Sequence, residues 1–134
     1  MQAAKRVLRY LAGTTHKGVS FRKGNKDNKL VVFSDSDWAG CKETRRSTSG
    51  FLVYYAGGPI SFKSKLQPTT ALSSCEAEYV ALTLAVKDIL FMHQMFKELG
   101  VDITTPTMIF GDNSAAIALA KNPVNHQRTK HIDI

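Results

Sequence analysis

Four acids of this chain stand where chemistry could use them. Asp35 closes the apolar run Leu30-Val31-Val32-Phe33, and Glu78 lies in the first turns of a long helical pattern. Asp112 follows Met108-Ile109-Phe110-Gly111, and Asp133 comes after His131 and Ile132 near the last residue. Each position also has an ordinary structural use. Ser34-Asp35-Ser36-Asp37 is turn chemistry as well, and an Asp ahead of a helix commonly caps it. Taken together, the four put carboxylates at strand ends, at a helix start and in a terminal segment. Hard divalent cations such as magnesium bind oxygen ligands of this kind. Bare carboxylates that converge repel one another and take up protons, whereas a bound cation favours their charged forms.

Asp37 and Glu76 compete for two of these roles. Ser73-Ser74-Cys75-Glu76 has the spacing of a capping box, with Ser73 as the cap and Glu76 reaching back to it. Glu78 has no such occupation. Asp35 leaves the apolar strand directly, while Asp37 lies further into the turn beside Trp38, which reads as a packing residue. Asp35 against Asp37 stays open on these grounds alone.

The elements that must position these acids follow from periodicity. Ala4, Val7, Leu8 and Leu11 predict a short helix from Met1 to Gly13, where the glycine ends it. The runs Gly18 to Arg22, Leu30 to Ser36, Gly50 to Tyr55 and Pro59 to Lys63 alternate between turn clusters and predict an antiparallel meander. From Ser74 to about Gly100, Ala77, Val80, Ala81, Leu84, Asp88, Phe91, Met92, Met95, Phe96 and Leu99 trace one long helical stripe. A strand over Thr107 to Gly111 and a helix from about Asn113 to Lys121, stopped by Asn122 and Pro123, complete the pattern. The order predicts an α/β domain, a mixed five-stranded sheet with helices packed on it.

Composition narrows the class. A chain of 134 residues with 43% apolar content can bury one sizeable core. Eighteen Lys and Arg against 11 Asp and Glu give a formal charge of +7, which suits a polyanionic partner. Cys41 and Cys75 lack C-x-x-C spacing and no secretory leader precedes them, so a reduced, intracellular protein without a disulfide framework or zinc site is expected. No apolar run approaches the roughly 20 residues of a bilayer span, so no membrane partner is expected.

Several blocks carry a resemblance. They are Val32-Phe33-Ser34-Asp35-Ser36-Asp37-Trp38-Ala39-Gly40, Thr44-Arg45-Arg46-Ser47-Thr48-Ser49-Gly50, Ser73-Ser74-Cys75-Glu76-Ala77-Glu78-Tyr79, Gly111-Asp112-Asn113-Ser114-Ala115-Ala116 and His126-Gln127-Arg128-Thr129-Lys130-His131-Ile132-Asp133-Ile134. The chain resembles, over nearly its whole length, the ribonuclease H domain of copia-type LTR retrotransposon polyproteins. Residues 1–14 resemble the end of the segment that joins the reverse transcriptase to that domain, leaving 15–134 as the domain itself, which stops before the family's C-terminal helix.

The resemblance implies an RNase H-like fold and hydrolysis of the RNA strand of RNA/DNA hybrids, giving 5′-phosphate products. It implies two magnesium ions, with manganese as a substitute, roughly 4 Å apart. It also implies a D-E-D-D set carried over to Asp35, Glu78, Asp112 and Asp133. Arg45, Arg46, Ser47, Ser73, Ser74 and Arg128 become candidates for contacts to phosphates and 2′-hydroxyls. The serines have capping and turn chemistry as their alternative. Lys42, Lys63, Lys65, Lys121 and Lys130 could add phosphate attraction that weakens with salt. His126 and His131 could assist proton transfer or simply be hydrogen-bonded. The implied partners are the hybrid and the polymerase domain of the same polyprotein, and the implied location is the cytoplasm, within virus-like particles. A catalytically weak or inactive domain that binds hybrid or tethers the polymerase is the alternative.

Overall fold

The computed structural model describes residues 1–21 and 29–122. Their elements are α1 (Gln2–Gly13), β1 (Lys29–Asp37), β2 (Thr48–Tyr55), β3 (Gly58–Leu66), α2 (Ser74–Glu98), β4 (Thr104–Phe110) and α3 (Ser114–Lys121). The strands form one mixed sheet in the order β3-β2-β1-β4. β1 and β2 run antiparallel, as do β2 and β3, whereas β1 and β4 are parallel. Ala56 (φ 52°) and Gly57 (φ 83°) both take left-handed conformations in the two-residue β2–β3 hairpin, the geometry that matches strand twist.

Alternation along the strands sends one set of side chains inward. Leu30 and Val32 of β1 and Phe51 and Val53 of β2 meet Ala85, Ile89, Met92 and Phe96 of α2 in the core. Fully burying one such aliphatic side chain stabilises by roughly 1.5–3 kcal/mol. The helix stripe is small at its N-terminal end, where Ala77, Ala81 and Ala85 are fully buried. Alanines there let α2 lie close to β1 just where the sheet's acids emerge. α3 packs on α2, and the opposite sheet face leaves Phe33, Met108 and Phe110 about half exposed. At its far end α2 closes with Gly100 at φ 68°. There Val101 N–H returns to Phe96 O at 2.9 Å and Gly100 N–H to Lys97 O at 3.1 Å, a Schellman ending.

The described residues form four strands, not the expected five. The fifth is expected over Gly18–Arg22, but residues 18–21 carry no regular secondary structure and Arg22 lies outside the described residues. Val19 and Phe21 alternate as strand residues would, yet they remain 60% and 58% exposed. Phe21 lays its ring against Gly58, where a Cβ would come within 2.6 Å of it. The segment therefore contributes a side-chain contact to the hairpin instead of a ladder. α1 forms as expected, with no buried residue. Both cysteines are free, and no described helix is long and apolar enough to cross a membrane.

Candidate metal centre

Parallel pairing brings two of the acids to one edge. Phe33 of β1 is registered with Phe110 of β4, so Asp35, still paired within β1, and Asp112, just past the end of β4, each two residues further on, come side by side. Glu78 arrives from the second turn of α2. Oxygens of Asp35, Glu78 and Asp112 all lie within 4.8 Å of one another. Asp35 and Asp112 are exposed, whereas Glu78 is 7% exposed.

Ser36 fixes the buried member. Its N–H donates to Glu78 Oε1 at 3.0 Å and its hydroxyl donates to the same oxygen at 2.8 Å. Burial pushes the Glu78 carboxyl above the usual glutamate value. The Ser36 hydrogen bonds oppose that rise, and the charges of Asp35 and Asp112 reinforce it. No lysine or arginine balances the three acids among the described residues. An all-oxygen donor set with uncompensated negative charge is what a hard divalent cation requires, so the residues present fit magnesium.

The competitors have other partners. Asp37 folds over the following turn, its Oδ2 lying 1.9 Å from where a Cβ on Gly40 would stand. Only glycine leaves that carboxylate room. Ser73 caps α2, its hydroxyl accepting the Glu76 N–H at 3.2 Å. Glu76 Oε2 in turn accepts the Leu72 N–H at 2.8 Å, one residue before the expected position. Asp112 is relieved of capping by Asn113, whose Oδ1 accepts the Ala116 N–H at 3.0 Å.

The candidate contact residues separate. Arg45 is exposed at φ 56°, and the Arg46 Nε–H donates to Thr44 Oγ1 at 3.3 Å. Ser74 is exposed at the first turn of α2. Ser47 is a correction, because it is fully buried and its hydroxyl accepts the Ala39 N–H at 3.0 Å. It fastens the loop from beneath and offers nothing to a ligand. Asp133 and Arg128, with His126, His131 and Lys130, lie outside the described residues.

Two residues escaped the sequence reading. Ser36 orients Glu78, and period-two alternation after Asp35 was the signal, since the next strand residue must face the helix. Gln67 is 2% exposed and donates through Nε2 to Ser49 Oγ at 2.8 Å and to Ala77 O at 2.9 Å. No sequence pattern marks such a long-range tie. Beside the acids, Phe33 and Phe110 stack at 5.4 Å between ring centroids. With Ser34, Asp35, Gly111 and Asp112 they line a cleft of about 360 Å³.

No family model matches the chain. It is 44% identical over 134 residues to the retrovirus-related Pol polyprotein from transposon RE1 of Arabidopsis thaliana, which aligns with 100% of this chain and 9% of its own length. It is 41% identical over 133 residues to the corresponding polyprotein from transposon TNT 1-94 of Nicotiana tabacum, covering 99% of this chain and 10% of that protein. The chain thus spans about a tenth of the length of these relatives. A crystal structure of LC11-RNase H1 in complex with RNA/DNA hybrid covers 79% of this chain and 64% of its own, at 17% identity and a TM-score of 0.43, too loose a likeness to carry weight. Identity above two-fifths along essentially the entire chain is another matter: the chain belongs to the retrovirus-related Pol polyproteins of copia-type transposons.

Proposed function

We propose that this chain is the ribonuclease H segment of such a polyprotein, hydrolysing the RNA strand of RNA/DNA hybrids. The observation that carries the reading is the meeting of oxygens of Asp35, Glu78 and Asp112, brought from three separate parts of the fold, within 4.8 Å of one another. A purely structural role would leave that repulsion uncompensated.

Asp35, Glu78 and Asp112 would hold magnesium, with manganese as a substitute, and Asp133 is proposed as the fourth ligand. Bound there, the metal would lower the pKa of a water and offset charge on a departing oxygen. The chain's own contribution is placement. Parallel β1 and β4 set Asp35 and Asp112 abreast, and Ser36 holds the Glu78 carboxylate through two hydrogen bonds to Oε1. Arg45, Arg46 and Ser74, on the adjoining loop and helix start, are proposed to meet phosphates and 2′-hydroxyls of the hybrid. The polymerase region of the polyprotein is the proposed covalent partner, joined through the segment that contains α1.

The test is cleavage of an end-labelled RNA/DNA hybrid in magnesium by the wild-type chain and by Asp112→Asn, each also prepared with the C-terminal extension found in the polyprotein. We expect cutting of the RNA strand only, and a loss on the order of 10³-fold in the variant, from several kcal/mol of metal-dependent stabilisation. Equal cutting by wild type and variant, or none by the extended wild type, would sink the reading.

A further inference from the structure

Trp38 is the sole tryptophan of the chain, and it does less packing than its sequence context predicts. Its indole N–H donates to Ala71 O at 3.2 Å, yet the residue remains 50% exposed. Leu72, next to the acceptor, is 75% exposed while its own N–H is held by Glu76 Oε2 at 2.8 Å. The two loops that carry them are tied together from below. Ser47 accepts the Ala39 N–H, Gln67 N–H donates to Ser47 O at 2.8 Å, and the Thr70 hydroxyl donates to Thr44 O at 3.4 Å. Gln67 then joins the shelf to Ser49 and Ala77.

A single exposed apolar side chain is ordinary. Here two large ones are held on braced loops joined by the Trp38–Ala71 hydrogen bond, and both lie close in sequence to residues of the acid cluster. Trp38 follows Asp35 by three residues, and Leu72 precedes Ser73, the cap of the helix that carries Glu78. Because the Trp38 indole and the Leu72 backbone are already held, covering them costs less of the ordering entropy that binding usually pays.

We propose that Trp38 and Leu72 form an apolar rest for the nucleic acid, against which sugar faces and base edges of an RNA/DNA hybrid lie as its scissile strand approaches the carboxylates. The proposal deepens the nuclease reading and rests on it. A-form-like duplexes offer a wide, shallow minor groove in which such faces are accessible. Arg45 and Arg46 on the same loop act on phosphates, so their contribution weakens with salt. That of Trp38 and Leu72 does not. The two kinds of contact are therefore separable by experiment.

The test uses a short RNA/DNA hybrid labelled for anisotropy, magnesium, and the Asp112→Asn chain so that binding is read without cutting. Emission from Trp38 should change along the same titration curve as the anisotropy. Trp38→Ala should weaken binding about tenfold, the scale of one lost aromatic contact to a base, by the same factor at low and high salt. Trp38→Phe should restore most of it. Arg45→Ala should instead flatten the salt dependence. In the active chain Trp38→Ala should raise KM and leave kcat within about twofold. Unchanged emission while anisotropy saturates overturns the proposal and leaves the nuclease reading standing. Neither binding in this assay nor cleavage by the active chain overturns both.

Discussion

Replacing Asp35 or Asp37 by Asn tests the site at the scale of single residues. Asp35 shares the oxygen cluster, whereas Asp37 is folded over Gly40. Asp35→Asn should abolish hybrid cleavage and Asp37→Asn should retain it within about threefold, beyond which range the assignment fails. Glu78 makes a separate prediction through pH. Its carboxyl is raised, first by burial, so the folded chain holds that proton more tightly than the unfolded chain does. The resulting stability is full below the ordinary glutamate range and is lost as pH climbs from that range through the raised value. Without divalent ions, Tm should fall across that window. Magnesium should reverse the fall, because it binds the charged form. Glu78→Gln should remove the slope and stabilise the metal-free chain by about 0.5–2 kcal/mol, as expected where a site's function opposes its stability. A slope that persists in this variant would assign the effect to another group. The different placement of Asp35 and Asp37 was not legible in the sequence, because it depends on a three-dimensional turn and a Cβ-free neighbour. The Ser73 cap that occupies the start of the helix was legible, because a capping box is local.

Elements bring these residues together through ties of very different visibility. α2 and its Ser73 cap could be read from spacing, and so could the Gly100 ending. The strap from Gln67 to Ser73 could not, because its function depends on one buried amide that joins β2 to α2. Gln67→Ala should cost roughly 1–3 kcal/mol, since it leaves buried partners unsatisfied, and the cost is measurable by urea unfolding. The same variant should raise KM for hybrid, since the shelf under Trp38 loses its anchor. A stability change under 0.5 kcal/mol would show that the strap is held by other contacts. The misplaced fifth strand has the opposite origin. Two alternating apolar residues, Val19 and Phe21, imitated a strand, but a pattern that short cannot distinguish a ladder from a ring laid across a hairpin.

At the scale of the whole molecule, the described residues form one sheet with α2 on one face, α3 packed on α2, and acids near the C-terminal ends of the parallel β1 and β4. The α/β class was written in the order of periodic segments, whereas the parallel pairing of β1 with β4 was not, because β2, β3 and α2 all intervene between them. The formal charge of +7 belongs to a chain whose acid cluster is itself locally negative. α1 buries nothing in this arrangement. Its removal should leave Tm within the shift of a neutral surface change, about 0.5 kcal/mol, and a larger drop would reveal a contact that α1 makes.

The parallel register has a consequence for heredity. Phe33 opposite Phe110 sets Asp35 and Asp112 abreast, and Gly111 is the single spacer between the end of β4 and its acid. A gene copy that loses the codon for Gly111 keeps both flanking elements, and with them a foldable product, but turns its aspartate towards the wrong side of the sheet. Such a copy should express a soluble chain with a near-normal circular dichroism spectrum and no cleavage, so that decay of the element would silence the chemistry generations before it erased the shape.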